Sequence, residues 1–386
     1  MGKEAYKTKI DALIESLRQV AGESEEARFD TSIALRDLRR SLATPDDVYD
    51  RFEKGNLEIC VSRIAQDLEI YQTLASSQEP MSVDALAAKA GAAPKLLHRI
   101  LRYLASLGQI SETGPNTFAA NAETRTLATP GFRGLTYHTF HTVHPLLQGV
   151  PDFLADRKYR DVTTTTDTAT QRVFNTPLPV FTWFPTQPKR FEYLQQFMAV
   201  QPYGVPWFSV YPLHTHLGNN DDVFLVDVGG GLGHQCARLI EAYPELKGKL
   251  VLQDYQEALD QAPPLEGVEK MAHNFFTKQP VKGAHIYYLR HVLHDWPDEE
   301  CLVILKHLKD AMGPESLILI DDMVLPDTGV HERAAALDLL LMSSHGAKER
   351  TADDWRALTT AAGLRIQSIE TYFPRRHSSI IQVGLM

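Results

Sequence analysis

The sequence has few cysteines and lacks the long apolar runs of membrane proteins. Its three cysteines, Cys60, Cys236 and Cys301, lie too far apart to form a C-x-x-C zinc or redox motif. We therefore expect neither a disulfide framework nor a metal site, and a reducing, cytoplasmic setting. No run of about 18 apolar residues occurs, and charges are distributed throughout the N-terminal segment, so neither a membrane span nor a signal peptide is predicted.

Positive charge is also in short supply. The formal net charge of the 386 residues is −10, and the acidic excess is spread along the chain and not gathered in a tail. Such a chain is a poor partner for nucleic acid or an anionic membrane, so a neutral or cationic small molecule is the expected ligand. With 44% apolar and 23% charged residues, the composition is that of a globular protein of about two domains.

Helical periodicity dominates residues 1–125. Apolar residues recur at helical spacing over 10–20 and 33–42, and "SVDALAAKAG" followed by "APKLLHRILRYLASLGQI" predicts a helix-turn-helix, with Ser82 or Asp84 as cap and Pro94 opening the second helix. The hairpin-like "SETGPNTFAAN" would complete a winged helix. One reading is a DNA-binding regulator whose second helix presents basic side chains. Because the surrounding chain is acidic, we favour a dimerisation module.

Two further segments follow. Residues 126–215 are rich in aromatics and prolines, which predicts short helices and loops around a substrate pocket; the prolines that argue against long helices are Pro151, Pro177, Pro179, Pro185 and Pro188. Over residues 216–386, apolar bursts such as "VFLVDV", "KLVLQD" and "SLILIDDMVL" alternate with amphipathic helices. This alternation predicts a doubly wound α/β domain with a parallel sheet.

The segment "VDVGGGLGH" joins a predicted strand to a helix. Its glycines fall at alternate positions where the backbone must turn and admit a ligand: Gly229, Gly231 and Gly233. The dinucleotide motif G-x-G-x-x-G is broken by His234, which favours a nucleoside without a pyrophosphate, namely S-adenosylmethionine. Asp254, at the end of the next strand, is placed to accept hydrogen bonds from a ribose diol, and Asp227 to face the amino-acid part.

Further candidate site residues come directly after the later predicted strands. Asn274 and Phe275 in "HNFF" are expected beside the adenine, although Phe275 could equally belong to the core. In "IYYLRHVLHDW", Arg290, His294 and Asp295 come at the carboxyl end of a buried strand, the edge where open α/β folds bind ligands.

An imidazole at position 294 suits proton removal from a phenol or enol. A plainer reading makes His294 and Asp295 a capping pair for the next helix. His291, three residues earlier, is expected on the opposite face of the strand. Two acids farther on, Asp322 and Glu349, could orient the His294 ring.

Taken in order, "VDVGGGLG", "LQD", "HNFF", "YYLRHVLHDWPDEEC", "LIDDMVLP" and "GAKERTADDW" resemble the plant-type O-methyltransferase family, particularly its fungal branch. The resemblance implies a homodimer with a winged-helix dimerisation domain and a Rossmann-like domain that binds S-adenosylmethionine. The residues it implies as cofactor ligands are Gly229, Gly231, Asp254, Asn274 and Arg290. His294 would be the base, flanked by Asp322 and Glu349. The chain has Asn274 where many members have Asp, and Asp322 where the usual residue is Glu.

A second resemblance is carried by "YHTF", "VPDFLADRKYRD" and "DTATQRVFNT", which are similar to the O-methyltransferase-like pericyclases of pyridone alkaloid biosynthesis, the leporin-forming type. It implies a fungal natural-product enzyme that keeps S-adenosylmethionine but transfers no methyl group. A pyridone alcohol would lose water to a quinone methide, which then cyclises by a hetero-Diels–Alder or ene reaction. His138 matches that group's catalytic His and Asp295 also matches, whereas His294 stands where the group's type member has Arg. Methyl transfer and pericyclic chemistry both remain open, and the second is narrowly favoured.

Overall fold

The computed structural model describes residues 3–198, 200, 205–213 and 223–386. The chain divides into two compact units, one ending at Ala128 and the other running from Thr129 to Met386. Each unit is described by itself. The three-part division at residues 125 and 215 stays a prediction. In the described ranges, no helix combines the length and apolarity needed to cross a bilayer.

The first unit is mainly helical. Its helices are α1 (Lys3–Glu23), α2 (Glu25–Ser41), α3 (Pro45–Glu53), α4 (Leu57–Asp67), α5 (Ile70–Ala75), α6 (Val83–Ala90), α7 (Pro94–Ser106) and α8 (Ala122–Leu127). Its strands β1 (Met81–Ser82), β2 (Ser111–Gly114) and β3 (Thr117–Ala119) form a small antiparallel sheet in the order β1-β3-β2. The amphipathic helices expected over 10–20 and 33–42 are parts of α1 and α2.

The predicted winged helix is confirmed. Helix α6 begins at the Ser82 cap, whose Oγ accepts from the Ala85 N–H at 3.2 Å, and Pro94 opens α7. Strands β2 and β3 form the wing. Leu86, Leu97 and Phe118 are fully buried where helices and wing meet, so apolar burial holds the motif together.

The second unit contains ten helices in its described residues: α9 (Pro130–His138), α10 (His144–Asp156), α11 (Ala169–Phe174), α12 (Val180–Trp183), α13 (Pro188–Met198), α14 (His234–Ala242), α15 (Gln256–Leu259), α16 (Asp298–Lys309), α17 (Glu332–His345) and α18 (Ala352–Ala361). A π-helical turn, Thr139–Val143, joins α9 to α10. Pro151 lies inside α10, so the expectation that this proline would prevent a long helix is wrong. The carbonyl that loses its partner belongs to Leu147, which is 40% exposed, so water can replace the missing N–H.

The second unit is organised around one large sheet. Its strands are β4 (Leu225–Val228), β5 (Leu250–Asp254), β6 (Val268–Ala272), β7 (Ile286–Arg290), β8 (Leu317–Leu325), β9 (Arg350–Thr351), β10 (Leu364–Phe373) and β11 (Ser378–Leu385). The order is β6-β5-β4-β7-β8-β11-β10, with β9 paired to β8.

Strands β4 to β8 pair in parallel, as predicted, while β11 and β10 add an antiparallel edge. The second unit is therefore a Rossmann-like α/β domain, as predicted, and it follows the winged-helix unit in the chain. The carboxyl ends of β4, β5, β7 and β8 meet at one edge of the sheet, where the candidate site lies.

Candidate active site

The glycine loop after β4 has the backbone that its sequence requires. Gly229, Gly231 and Gly233 adopt φ values of 71°, 58° and 75°, in the left-handed region that favours glycine. A Cβ at Gly230 would come within 2.5 Å of the Asp227 carboxyl group, whereas one at Gly231 would meet no heavy atom within 4 Å. The loop therefore packs tightly on its strand side and leaves space beside Gly231.

Asp254 is tied to this loop. Its Oδ2 accepts from the Gly231 N–H at 2.8 Å and its Oδ1 from the Tyr255 N–H at 2.7 Å. Asp227 lies beneath the loop, where the Cys236 thiol donates to it across 3.5 Å, and burial raises the pKa of Asp227 to about 7. Two carboxyl groups thus bracket the glycine turn.

The loop after β6 carries the two residues predicted beside the adenine. The Asn274 Oδ1 accepts from the Phe276 N–H at 3.0 Å, so the amide side chain shapes its own loop. Phe275 packs edge-on against Trp296, with ring centroids 6.0 Å apart, and lies next to Gly229. Their contacts with a cofactor stay predictions.

Arg290 ends β7 inside a buried polar network. Its Nη1 donates to Asp321 at 2.6 Å and to the Tyr372 hydroxyl at 3.0 Å. Asp321 is fully buried and also accepts from the hydroxyls of Tyr288 and Tyr372. The sequence predicted Arg290 as a cofactor ligand but missed this anchoring carboxylate.

His294 lies in a short 3-10 turn, Leu293–Asp295, and is 8% exposed. Its Nδ1 lies 2.8 Å from Glu349 Oε1, and its Nε2 lies 3.6 Å from Asp295 Oδ1. Burial by itself lowers the pKa of His294, but Asp295, Asp322 and Glu349 together raise it to about 10. The ring is therefore an imidazolium near neutral pH.

His291 does not point away from the site, contrary to the sequence-based expectation. Strand β7 ends at Arg290, and His291 takes a left-handed φ of 49°, which brings its ring centroid to 5.0 Å from that of His294. Its Nδ1 lies 3.4 Å from Asp322 Oδ1. Of the two acids predicted to orient His294, Glu349 contacts its ring directly, and Asp322 has its nearest imidazole contact with His291.

Three groups at this point converge closely enough to hold a metal ion. The nearest ligand atoms of His291, His294 and Asp322 all lie within 4.8 Å of one another. His294 Nδ1 already contacts Glu349 at 2.8 Å, and we assign no metal ion to these three groups.

Asp295 is not the cap of the following helix. Helix α16 begins at Asp298 with Pro297 before it, and no side chain makes a capping hydrogen bond there. The capping interpretation of the His294–Asp295 pair is therefore wrong, and Asp295 faces the His294 ring instead.

His138 ends α9, immediately before the π turn. Its side chain is buried, stacks on Phe197 with centroids 5.6 Å apart, and lies 6.0 Å from Phe184. Among the described residues its Nδ1 has no hydrogen-bond partner, and burial together with the Arg190 charge lowers the pKa of His138 to about 4. This imidazole is neutral. An unpaired N–H is costlier to bury than an unpaired lone pair, so we assign the proton to Nε2.

The π turn itself escaped sequence reasoning. It adds one residue to a turn of the α9–α10 helix, a change that has no residue signature and is frequent at functional sites. Arg190 donates to the His141 carbonyl within this turn and lies over the rings of Phe174 and Trp183. The turn is therefore held by a hydrogen bond from Arg190 of α13, a different helix.

The residues around the glycine loop fit the methionine nucleoside predicted for it. Gly231 borders open space, the Asp254 carboxylate is fixed by the loop's own N–H, and Asp227 lies below.

The fold and this site define an enzyme with a class I S-adenosylmethionine-binding domain. Residues 222–365 match the O-methyltransferase domain, and residues 60–130 match the O-methyltransferase dimerisation domain. The chain belongs to the O-methyltransferase family, and its cofactor is S-adenosylmethionine.

Individual relatives agree with this assignment. The chain is 41% identical to a demethylsterigmatocystin 6-O-methyltransferase of Aspergillus flavus over 353 residues, 91% of each chain. A solved structure described as a pericyclic reaction enzyme superimposes with a TM-score of 0.94 at 36% identity, covering 98% of this chain and 100% of the other. The structure of LepI in complex with S-adenosylmethionine superimposes with a TM-score of 0.94 at 36% sequence identity, and the match covers 99% of this chain and 100% of the other.

Proposed function

We propose that this chain is an S-adenosylmethionine-dependent pericyclase that dehydrates an aromatic or pyridone alcohol to a quinone methide and guides its cyclisation. The observation that carries the proposal is the pairing of both His294 ring nitrogens with carboxylates, at 2.8 and 3.6 Å. Two carboxylates next to an imidazole favour its cationic form, and the Nε2–H, which lies beyond hydrogen-bond distance of Asp295, would be left to donate to a substrate oxygen. Similarity to a pericyclic reaction enzyme over nearly the whole chain supports the same reading.

The proposed chemistry assigns separate tasks to two imidazoles. The His294 cation would donate to the departing hydroxyl group, with Glu349 holding its far side. His138, neutral and walled by Phe184 and Phe197, would donate through Nε2 to a carbonyl oxygen whose charge changes in the transition state. S-adenosylmethionine supplies a fixed positive sulfonium charge when bound.

Methyl transfer to a phenol or enol hydroxyl is the second candidate. The Nδ1 contact of His294 with Glu349 would leave Nε2 as the base in this reaction, and a relative named as a 6-O-methyltransferase is 41% identical. An imidazole held cationic is a weak base at neutral pH, which favours the first candidate.

The discriminating experiment is a mass-resolved product assay. Purified protein is incubated with a pyridone alcohol and with a panel of phenols, each with and without S-adenosylmethionine. A product lighter by one water, formed only with the cofactor and without release of S-adenosylhomocysteine, supports the pericyclase. A product heavier by one methylene, with S-adenosylhomocysteine formed in step, refutes it.

Two substitutions at one position sharpen the test. His294→Arg keeps a positive charge and loses the base, so a pericyclase should retain much of its rate. His294→Gln removes the charge, so the rate of the pericyclase reaction should fall by about 10²-fold or more. A methyltransferase would be disabled by both changes. His138→Ala should slow the pericyclase without changing cofactor affinity.

We further propose that the enzyme works as a cytoplasmic homodimer. The match of residues 60–130 to a dimerisation domain supports the dimer. The free thiols of Cys60, Cys236 and Cys301 suit a reducing compartment.

A further inference from the structure

A further imidazole, that of His345, lies near the His294 turn. It is the last residue of α17, whose final turn packs against the 3-10 turn of Leu293–Asp295. Its ring centroid lies 5.0 Å from that of Phe181, and Phe181 stacks on Trp296 at 5.3 Å. The charge of Asp295 raises the pKa of His345 and the charge of His294 lowers it, so the three side chains share one electrostatic environment.

The hydrogen bonds of Ser344 fix the tautomer of this ring. The Ser344 hydroxyl has one proton, which it donates to the Leu340 carbonyl at 2.6 Å. Ser344 Oγ also lies 2.6 Å from His345 Nδ1 and can only accept there. We therefore assign the hydrogen to His345 Nδ1, which leaves a lone pair on Nε2.

The backbone that carries His345 is held from outside its helix. The Thr170 hydroxyl donates to the Ser344 carbonyl at 3.2 Å, and the Thr168 hydroxyl, which donates to Gln171 Oε1 at 2.7 Å, lies 3.2 Å from the same carbonyl oxygen. Gly346 follows with a φ of 68°, so close to Thr164 that a Cβ would lie 2.3 Å from the Thr164 carbonyl oxygen. Thr164 and Thr170 thus hold the backbone that carries the imidazole.

Neighbouring imidazoles in this site consequently have opposite character. His294 faces carboxylates with both nitrogens, whereas His345 faces a hydroxyl with one and bears its lone pair on the other. Burial lowers the pKa of His345, in keeping with a neutral ring. A proton donor and a proton acceptor thus belong to adjoining elements, the helix α17 and the Leu293–Asp295 turn, and loss of water requires both.

We infer that His345 Nε2 is the base that accepts the proton of the substrate's acidic hydroxyl group. The inference rests on the proposed function for its substrate class. The substrate O–H bond breaks and its proton goes to His345 while its electron pair enters the ring. The carbinol C–O bond breaks with its electron pair on oxygen, which takes a proton from His294. Water leaves, nothing is oxidised, and one proton returns from His345 to His294.

The test compares the full-length enzyme with His345→Gln, which keeps size and polarity but cannot take a proton. We expect a 10²- to 10⁴-fold fall in single-turnover rate with unchanged S-adenosylmethionine affinity by calorimetry. The rate of the variant should rise steeply as substrates with more acidic hydroxyls are used, and added imidazole should partly rescue His345→Ala. The Ser344→Ala variant loses only the acceptor that fixes the tautomer, so its single-turnover rate should fall less than that of His345→Gln.

A His345→Gln rate within about threefold of the parent, or an equal loss on all substrates without imidazole rescue, would overturn the inference. The parent enzyme's product mass decides the reaction type separately. If that product is methylated, the proposed function fails, yet the same hydroxyl proton must be removed and the same comparison of variants still decides the role of His345.

Discussion

Three imidazoles in one unit, all partly or fully buried, are held in three states by different neighbours. Carboxylates make His294 a cation, an aromatic wall and Arg190 keep His138 neutral, and Ser344 fixes the tautomer of His345. The residue type alone does not distinguish them. Their chemistry follows from contacts made across long stretches of sequence.

The charge on His294 makes the stability of the protein depend on pH. Its folded pKa of about 10 lies above the ordinary value of 6.5, so its ion pairing stabilises the fold fully below pH 6.5, and this contribution is lost as the pH rises through 10. The charged or titratable groups facing it are Asp295, Asp322, Glu349, His291 and His345.

Urea unfolding of the parent and of His294→Gln measures this effect. We expect the parent's advantage in free energy of unfolding to be largest near pH 6 and to shrink steadily toward pH 10. An advantage that stays constant or grows with pH would contradict a cationic His294.

Asp321 should be among the most sensitive buried positions. It is fully buried and pairs with Arg290 while accepting from two tyrosine hydroxyls. Asp321→Asn leaves a buried guanidinium without its counter-charge, so we expect a loss of about 3–5 kcal/mol in free energy of unfolding, measured by urea titration. Asp327→Asn, at an exposed position, is the matched control and should change stability by less than about 0.5 kcal/mol.

At the scale of elements, local signals made the glycine loop and the winged helix predictable. Alternate glycines between a strand and a helix, and a capping serine before α6, are short-range patterns with one structural solution. His291 was misplaced because strand alternation was extended one residue beyond the end of β7. The π turn and the base-like tautomer of His345 depend on tertiary contacts, which no local pattern reports.

The end of α17 supplies a test at this scale. Gly346 and Gly363 both have positive φ after a helix, but a Cβ at Gly346 would strike the Thr164 backbone, whereas one at Gly363 would meet the mobile tip of Lys309. We expect Gly363→Ala to lower the free energy of unfolding by about 1–2 kcal/mol, because alanine is strained in the left-handed region. Gly346→Ala should lower it by about 1–3 kcal/mol more, because its Cβ also strikes the Thr164 backbone. Thermal unfolding compares them, and equal costs would argue against a close approach of the Thr164 segment.

For the whole molecule, the first unit presents an unusual number of apolar side chains to solvent. Leu13 is 64% exposed, Leu42 69% and Phe52 76%, all on the helices that precede the matched dimerisation domain or at their ends. Exposed apolar surface of this kind marks an interaction site. We expect these helices to contribute to the homodimer interface.

Phe52→Asp combined with Leu13→Asp should therefore convert the dimer to monomer in sedimentation velocity. Val303→Asp, at an apolar position of the second unit that is 42% exposed, should leave the oligomeric state unchanged. A dimer that survives the double substitution would place the interface elsewhere on the chain.

The π turn between α9 and α10 has an evolutionary reading as well. One extra residue in a helix is one inserted codon, and here it falls within the turn that follows His138, outside the strands and the glycine loop of the Rossmann-like domain. A lineage of methyltransferases could acquire or discard such an insertion in a single step while the cofactor domain stays intact. New reactions can thus arise at the substrate wall while nucleoside binding is inherited unchanged.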